Sequence, residues 1–398
     1  ITTKSGSAKK SVKKNEITVS SSLFINEIAS LPDYQDKYGN GFDQAFSWAF
    51  SNWGPTFEKE GAAGWGNSSQ FDADGTLAHP YSTSVISGDF PELAGARYEY
   101  KPYNSVKNFF RKGVISNTSV NIKGTSDDGN YSYNLNYGHN DDEGFTPGNN
   151  VIRNTLSMGG RAKLSNKFTV SGTLNFSKTK FKSPPVALSQ GNGTTGTGSS
   201  IFGDLWFTPR SIDIQGLPYQ RQDGGSAYYR QDNSIQHPYW TLYNSGTSQN
   251  TNRVFGNFSL TYDINPNLNI LYRAGLDNYN EGNVNFQNKG GVNTNGGGGA
   301  RTESGFYETW NNINTIWDHS LILNGKYSLT EKLGFNFNVG GTSRNETFES
   351  NGVASDGQQI FGVLRHYNFK NYRPIESYAD RNIVGIFAQT EIDYNQYL

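Results

Sequence analysis

The feature that most constrains this chain is a strict two-residue alternation. From Phe168 to Ser177, Phe168, Val170, Gly172, Leu174 and Phe176 share one parity, while Thr169, Ser171, Thr173, Asn175 and Ser177 share the other. That period belongs to a strand with one apolar and one polar face. The pattern recurs at Ile17–Ile25, Val114–Ile122, Tyr131–Tyr137, Leu156–Leu164, Phe258–Ile264, Leu268–Leu276, Leu321–Leu329, Phe335–Val339 and Val384–Tyr394, which predicts ten strands in all. Most span about ten residues, near the roughly 9–11 that a tilted membrane-crossing strand needs. Ordinary globular strands peak near ~5–6.

The connections sort by side. Short joins built from turn residues, at 124–130, 165–166, 265–267 and 330–332, alternate with longer ones at 26–113, 138–151, 182–252, 281–309 and 342–382. Outer-membrane barrels show this asymmetry, with short periplasmic turns and long extracellular loops. A soluble sandwich has no reason to sort its loops this way. Composition agrees: mean hydropathy is −0.67 and only 34% of residues are hydrophobic, too few for a conventional core in 398 residues. Hydrocarbon would cover the apolar parity and a wet or plugged lumen the polar one. Tyr131, Phe168, Tyr262, Tyr327, Phe335 and Tyr394 near strand ends predict an interfacial girdle, and Trp310 and Trp317 read as further membrane-interface anchors.

Other bulk properties exclude function classes. Lys and Arg number 34 against 35 Asp and Glu, so no net field favours nucleic acid or anionic lipid. Cys is absent, which removes disulfides and thiol catalysis from this chain. No run of 18 apolar residues marks a transmembrane helix. The chain opens at Ile1 and its single Met is Met158, so we read it as a piece of a longer protein.

The motif survey points away from catalysis. Gly191–Gly196 satisfies G-x-G-x-x-G but lies in a Gly/Thr/Ser tract rather than between strand and helix. His79, His139, His237, His319 and His366 are far apart, and no G-x-S-x-G elbow occurs. Two acidic turns, Asp72 with Asp74 and Asp141 with Asp142, are weak Ca²⁺ candidates, and a solvated turn is the simpler account of each. Lys9, Lys10, Lys13 and Lys14 read as a solvated periplasmic-side linker. Aromatic side chains crowd two long connections, Trp48, Trp53 and Trp65 in the first and Trp206, Tyr228, Tyr229, Tyr239 and Trp240 in the third. With flanking Asn and Gln they are candidates for binding a sugar ring or a peptide side chain; packing within the loops is the competing use.

The same segments carry a family likeness. Ile1-Thr2-Thr3-Lys4-Ser5-Gly6, Leu31–Gly41 (LPDYQDKYGNG), Ser51-Asn52-Trp53-Gly54-Pro55, Asn108–Gly113 followed by Ser119–Gly124, Arg253–Asn257 and Arg381–Phe387 resemble, in order, segments of the SusC/RagA-like TonB-dependent transporters. The resemblance implies an all-β, antiparallel transmembrane barrel, 22-stranded at full length in the family. Residues 1–15 would end the N-terminal plug and link it to the barrel, most of the plug being absent from this chain. Residues 16–398 would form the N-terminal part of the barrel. It further implies TonB-dependent import of an oligosaccharide or oligopeptide across the Gram-negative outer membrane. Implied partners are a SusD-like surface lipoprotein as lid, the TonB-ExbB-ExbD complex and outer-membrane lipid, and a dimer of the two-protein transporter is the implied assembly. A passive porin and a non-transporting surface-binding or adhesion protein are the alternatives. No cofactor is expected beyond a structural Ca²⁺ at the acidic turns.

Overall fold

The computed structural model describes residues 15–84, 86–185, 201–230, 236–292 and 303–394. The plug-like opening segment, the lysine cluster and the Gly191–Gly196 motif therefore lie outside the described residues. One ten-stranded antiparallel sheet dominates, with neighbours in sequence order throughout. Its strands are β1 (Asn15–Asn26), β2 (Gly113–Thr125), β3 (Tyr131–Glu143), β4 (Asn150–Lys163), β5 (Phe168–Ser183), β6 (Ser245–Asn265), β7 (Leu268–Gln287), β8 (Phe306–Thr330), β9 (Leu333–Gln358) and β10 (Phe369–Tyr394). Each of the ten expected strands is present.

Register turns the alternation into two continuous faces. Row by row, Leu135 pairs with Met158, Met158 with Leu174, Leu174 with Gly256 and Gly256 with Leu276. Nearer the short turns, Phe168 pairs with Tyr262, Tyr262 with Ile270 and Ile270 with Leu323. A slip of one residue would move every apolar side chain to the wet face, so the register is strongly specified. The girdle residues fall on this apolar face near the short turns, and the Phe168 and Tyr262 rings sit 4.7 Å apart. No described helix is long and apolar enough to cross a membrane, which says nothing of strands.

The opposite face is polar and self-paired. Asn121 donates to Asn134 at 2.8 Å, and Asn324 to Asn269 at 2.8 Å. Arg253 Nε donates to Asp277 Oδ1 at 2.8 Å, and Arg344 pairs with Asp318 and Glu346.

The strands run well past the alternating stretches. β8, β9 and β10 are 25, 26 and 26 residues long, so most of 342–382 is strand rather than loop, as are 281–287 and 306–309 at the ends of the preceding connection. The physical reason is that alternation records an apolar face. Beyond the membrane belt both faces are wet, and Asn, Thr and Glu continue the same ladder without that signature. Trp310 departs from expectation for a related reason. It lies seven residues from Trp317, so the two point to opposite faces. Trp317 lies on the apolar face, whereas Trp310 lies on the polar one, opposite Gly352. A Cβ on Gly352 would stand 2.5 Å from Trp310 Cβ and 2.2 Å from the Thr309 carbonyl, so glycine is what admits the indole.

Candidate functional site

The described residues of the connections 27–112 and 184–244 fold together. Their common core joins Phe46, Leu77, Tyr81, Ile86, Phe90, Tyr98 and Tyr100 of the first to Ile212, Leu217, Ala227, Tyr228 and Tyr229 of the second. Aromatic rings supply most of this core because each buries a large area while its polar tip finds a carbonyl. Tyr81 Oη donates to the Pro218 carbonyl at 2.8 Å, and Tyr98 Oη to that of Ser211 at 2.9 Å. Arg210 ties the halves together. Its Nε donates to Asp36 at 2.7 Å, its Nη1 to the Tyr103 carbonyl at 2.5 Å and its Nη2 to Asn104 at 3.1 Å, while its backbone N–H donates to Asn52 at 2.7 Å.

Two short helices of this module start alike. His79-Pro80-Tyr81 and His237-Pro238-Tyr239 each place His at the N-cap and Pro at the first helical position. The imidazole Nδ1 accepts from the Tyr81 N–H at 3.2 Å and from the Tyr239 N–H at 3.1 Å. Accepting requires a neutral ring, and burial lowers the pKa of His79 and takes that of His237 down to about 3. Beneath the second helix, Asp204 is fully buried and accepts from Thr241 Oγ1 at 2.5 Å, and burial pushes its carboxyl up to about 8. The repeated His-Pro-Tyr tripeptide was the sequence signal for these caps.

Below the module, the polar face of β6–β8 forms a second candidate surface. Glu281 Oε1 accepts from Asn283 at 2.9 Å and Asn312 at 3.0 Å, and Asn283 in turn accepts from Gln249 at 3.1 Å. Glu308 accepts from Asn285 at 2.9 Å and Arg373 at 3.2 Å. These amides and carboxylates, with Trp310 beside them, make a wall of fixed donors and acceptors. Nothing in the alternating pattern flags it, because its residues lie beyond the apolar belt.

Three solved structures resemble this arrangement closely enough to argue from. Over 99% of its length the chain superposes on a chain of the RagAB peptide importer, with a TM-score of 0.70 and 15% identity in the "open-open" state. In the "closed-closed" state the TM-score is 0.71, and a further RagAB transporter structure gives 0.70. The chain carries the barrel fold of the SusC/RagA-like transporters. At this identity the likeness concerns fold alone, and the chain spans about two-fifths of those chains, covering 41–42% of them. No protein-family model and no curated protein sequence matches it.

Within this SusC/RagA-like fold, the loop aromatics separate by what already covers them. Trp240 is fully buried and its Nε1 donates to the Gly224 carbonyl at 2.8 Å. Tyr228 and Tyr229 are buried against each other, with ring centroids 4.6 Å apart. Trp48 packs edge-on against Phe46 and Tyr98; Trp65 lies against Phe71 with the Lys59 ammonium over its ring. Tyr239 stacks between His237 and Tyr243. Only Trp53, 54% exposed, and Trp206, 36% exposed and stacked on Phe202, keep substantial free area. The structure thus gathers Trp48, Trp65, Tyr228 and Tyr229 into the aromatic core and packs Tyr239 on a second cluster around Phe109, rather than presenting all eight rings as one ligand-facing cluster.

The two acidic pairs differ: Asp72 and Asp74 both accept from the Thr76 hydroxyl, whereas Asp141 and Asp142 diverge. Asp74 accepts from the Thr76 N–H at 3.0 Å and its hydroxyl at 2.8 Å, and Asp72 is ion-paired with Arg97. Asp141 and Asp142 are successive residues of β3 and face opposite sides. Among the described residues no group of three His, Asp or Glu converges as a metal site would require.

Proposed function

We propose that this chain is the strand-rich part of an outer-membrane importer that takes up an oligopeptide or oligosaccharide. In this reading TonB, with ExbB and ExbD, supplies the force, and a SusD-like lipoprotein lids the extracellular side. One observation carries the proposal: an apolar-outside, polar-inside sheet of ten strands that superposes almost end to end on a chain of a peptide importer. Cargo recognition falls to the polar wall of β6–β8 together with Trp53 and Trp206. A peptide is favoured over a neutral glycan, because carboxylates such as Glu281 and Glu308 on that wall can pair with a cargo's ammonium or guanidinium group, as Glu308 does with Arg373, and a neutral glycan has none.

The test is uptake by intact cells that make or lack the full protein. Fluorescent peptides of mixed sequence and a fluorescent oligosaccharide are offered with and without a protonophore. Peptide uptake that disappears both with the gene and with the proton gradient is the expected result. Uptake insensitive to the protonophore would instead mean a passive pore, and unchanged uptake with lost surface adhesion would mean a binding protein.

A further inference from the structure

The outward face of β5 changes character just above its apolar stretch. Leu174 and Phe176 are followed on the same parity by Lys178, Lys180 and Lys182, all exposed. Consecutive members stand about 6.6 Å apart along the strand. Register surrounds them with neutral groups, polar at five of the six flanking positions. Lys178 sits between Asn154 and Asn252, Lys180 between Ile152 and Asn250, and Lys182 between Asn150 and Ser248. None of the three has an acidic partner among the described residues, and the nearby outward acids are engaged elsewhere: Asp141 accepts from Asn150 at 2.9 Å, and Glu143 pairs with Arg111 at 3.5 Å. On the polar face, by contrast, Arg253 and Arg344 are matched with acids. In the row of Lys178, β7–β10 carry neutral or acidic residues, Asn280, Ile313, Glu349 and Tyr378.

We propose that Lys178, Lys180 and Lys182 form a docking site for the phosphorylated headgroup of an outer-leaflet lipid. Its acyl chains lie on Phe176, Leu174, Leu156 and Val254, which are contiguous directly below. Three unmatched cations on the hydrocarbon side, at the edge of an apolar belt, suit an anion that is itself tethered to hydrocarbon. The flanking Asn and Ser side chains can hydrogen-bond the sugar or phosphate oxygens of such a headgroup. The inference rests on the apolar face meeting lipid; it does not depend on which cargo is imported.

The experiment uses the full-length protein, extracted in mild detergent, stripped of lipid and titrated at low salt with the bis-phosphorylated glucosamine lipid of the Gram-negative outer leaflet. The variant carrying Lys178→Gln, Lys180→Gln and Lys182→Gln should bind on the order of a hundredfold more weakly, given the attraction each interfacial lysine contributes. The corresponding triple Arg variant should bind like the original, and the dephosphorylated lipid should bind the original as weakly as the Gln variant binds the phosphorylated one. Equal affinity of the original and the Gln variant would overturn the site, and the single Lys180→Gln change repeats the comparison should the triple variant not fold. Competition by inorganic phosphate at concentrations matching the lipid would mean anion binding without lipid. Failure of the unmodified protein to resist cold SDS would sink the membrane reading itself, a separate outcome.

Discussion

At the residue scale, three buried ionisable groups give the loop module a defined pH response. Asp204 has a folded pKa of about 8 against 3.8, so its contribution is complete below 3.8 and is lost as pH rises through 8. His237 runs the other way: with a folded pKa of about 3 against 6.5, its contribution is complete above 6.5 and is lost as pH falls through 3. His79 is shifted in the same direction as His237. Between 3.8 and 6.5 Asp204 and His237 nearly cancel, leaving His79 to tilt stability downward toward acid. Module stability should therefore peak near pH 6.5 and decline by about 2 kcal/mol toward pH 8. Amide exchange in residues 201–217 across that range measures it, and Asp204→Asn should abolish the alkaline decline and steepen the acid limb, where His237 is no longer offset. Arg210→Ala should be harsher: it strands Asp36, Asn104 and the Tyr103 carbonyl, at a cost of about 3 kcal/mol. Faster exchange in 31–55 with an unchanged barrel would be its signature, and uniform acceleration across the strands would contradict the clamp role.

At the scale of elements, the two faces of β5 make opposite predictions. Leu174→Arg places a charge in the apolar belt and should cost about 2–4 kcal/mol, lowering the temperature at which the folded band is lost in SDS. Ser177→Arg, on the polar face, should leave that temperature within error. The strands were legible because a membrane imposes one apolar face, and residues such as Leu174 and Thr173 report it by parity alone. The module was not legible, since its core pairs Tyr81 with Pro218 and Tyr98 with Ser211 across more than a hundred residues. No local period encodes such pairings. The same blindness led from clustered aromatics to a ligand site, when Trp240, Tyr228 and Tyr229 serve as core. The wall around Glu281 was missed for a different reason: its ladder continues where neither face is apolar.

At the scale of the whole molecule, the folded full-length protein should migrate differently in SDS before and after boiling, because a closed antiparallel barrel has no free edge from which to unzip. Identical mobility in both lanes would count against the membrane barrel. The sheet is also markedly uneven in height. β1, β2 and β3 have 12, 13 and 13 residues, whereas β8, β9 and β10 have 25, 26 and 26. The rim is thus oblique, low at β1–β3 and tall at β8–β10. In the proposed importer, a molecule arriving over the low flank would meet the taller wall of β8–β10. Capture would then depend on the angle of approach as well as on the width of the opening.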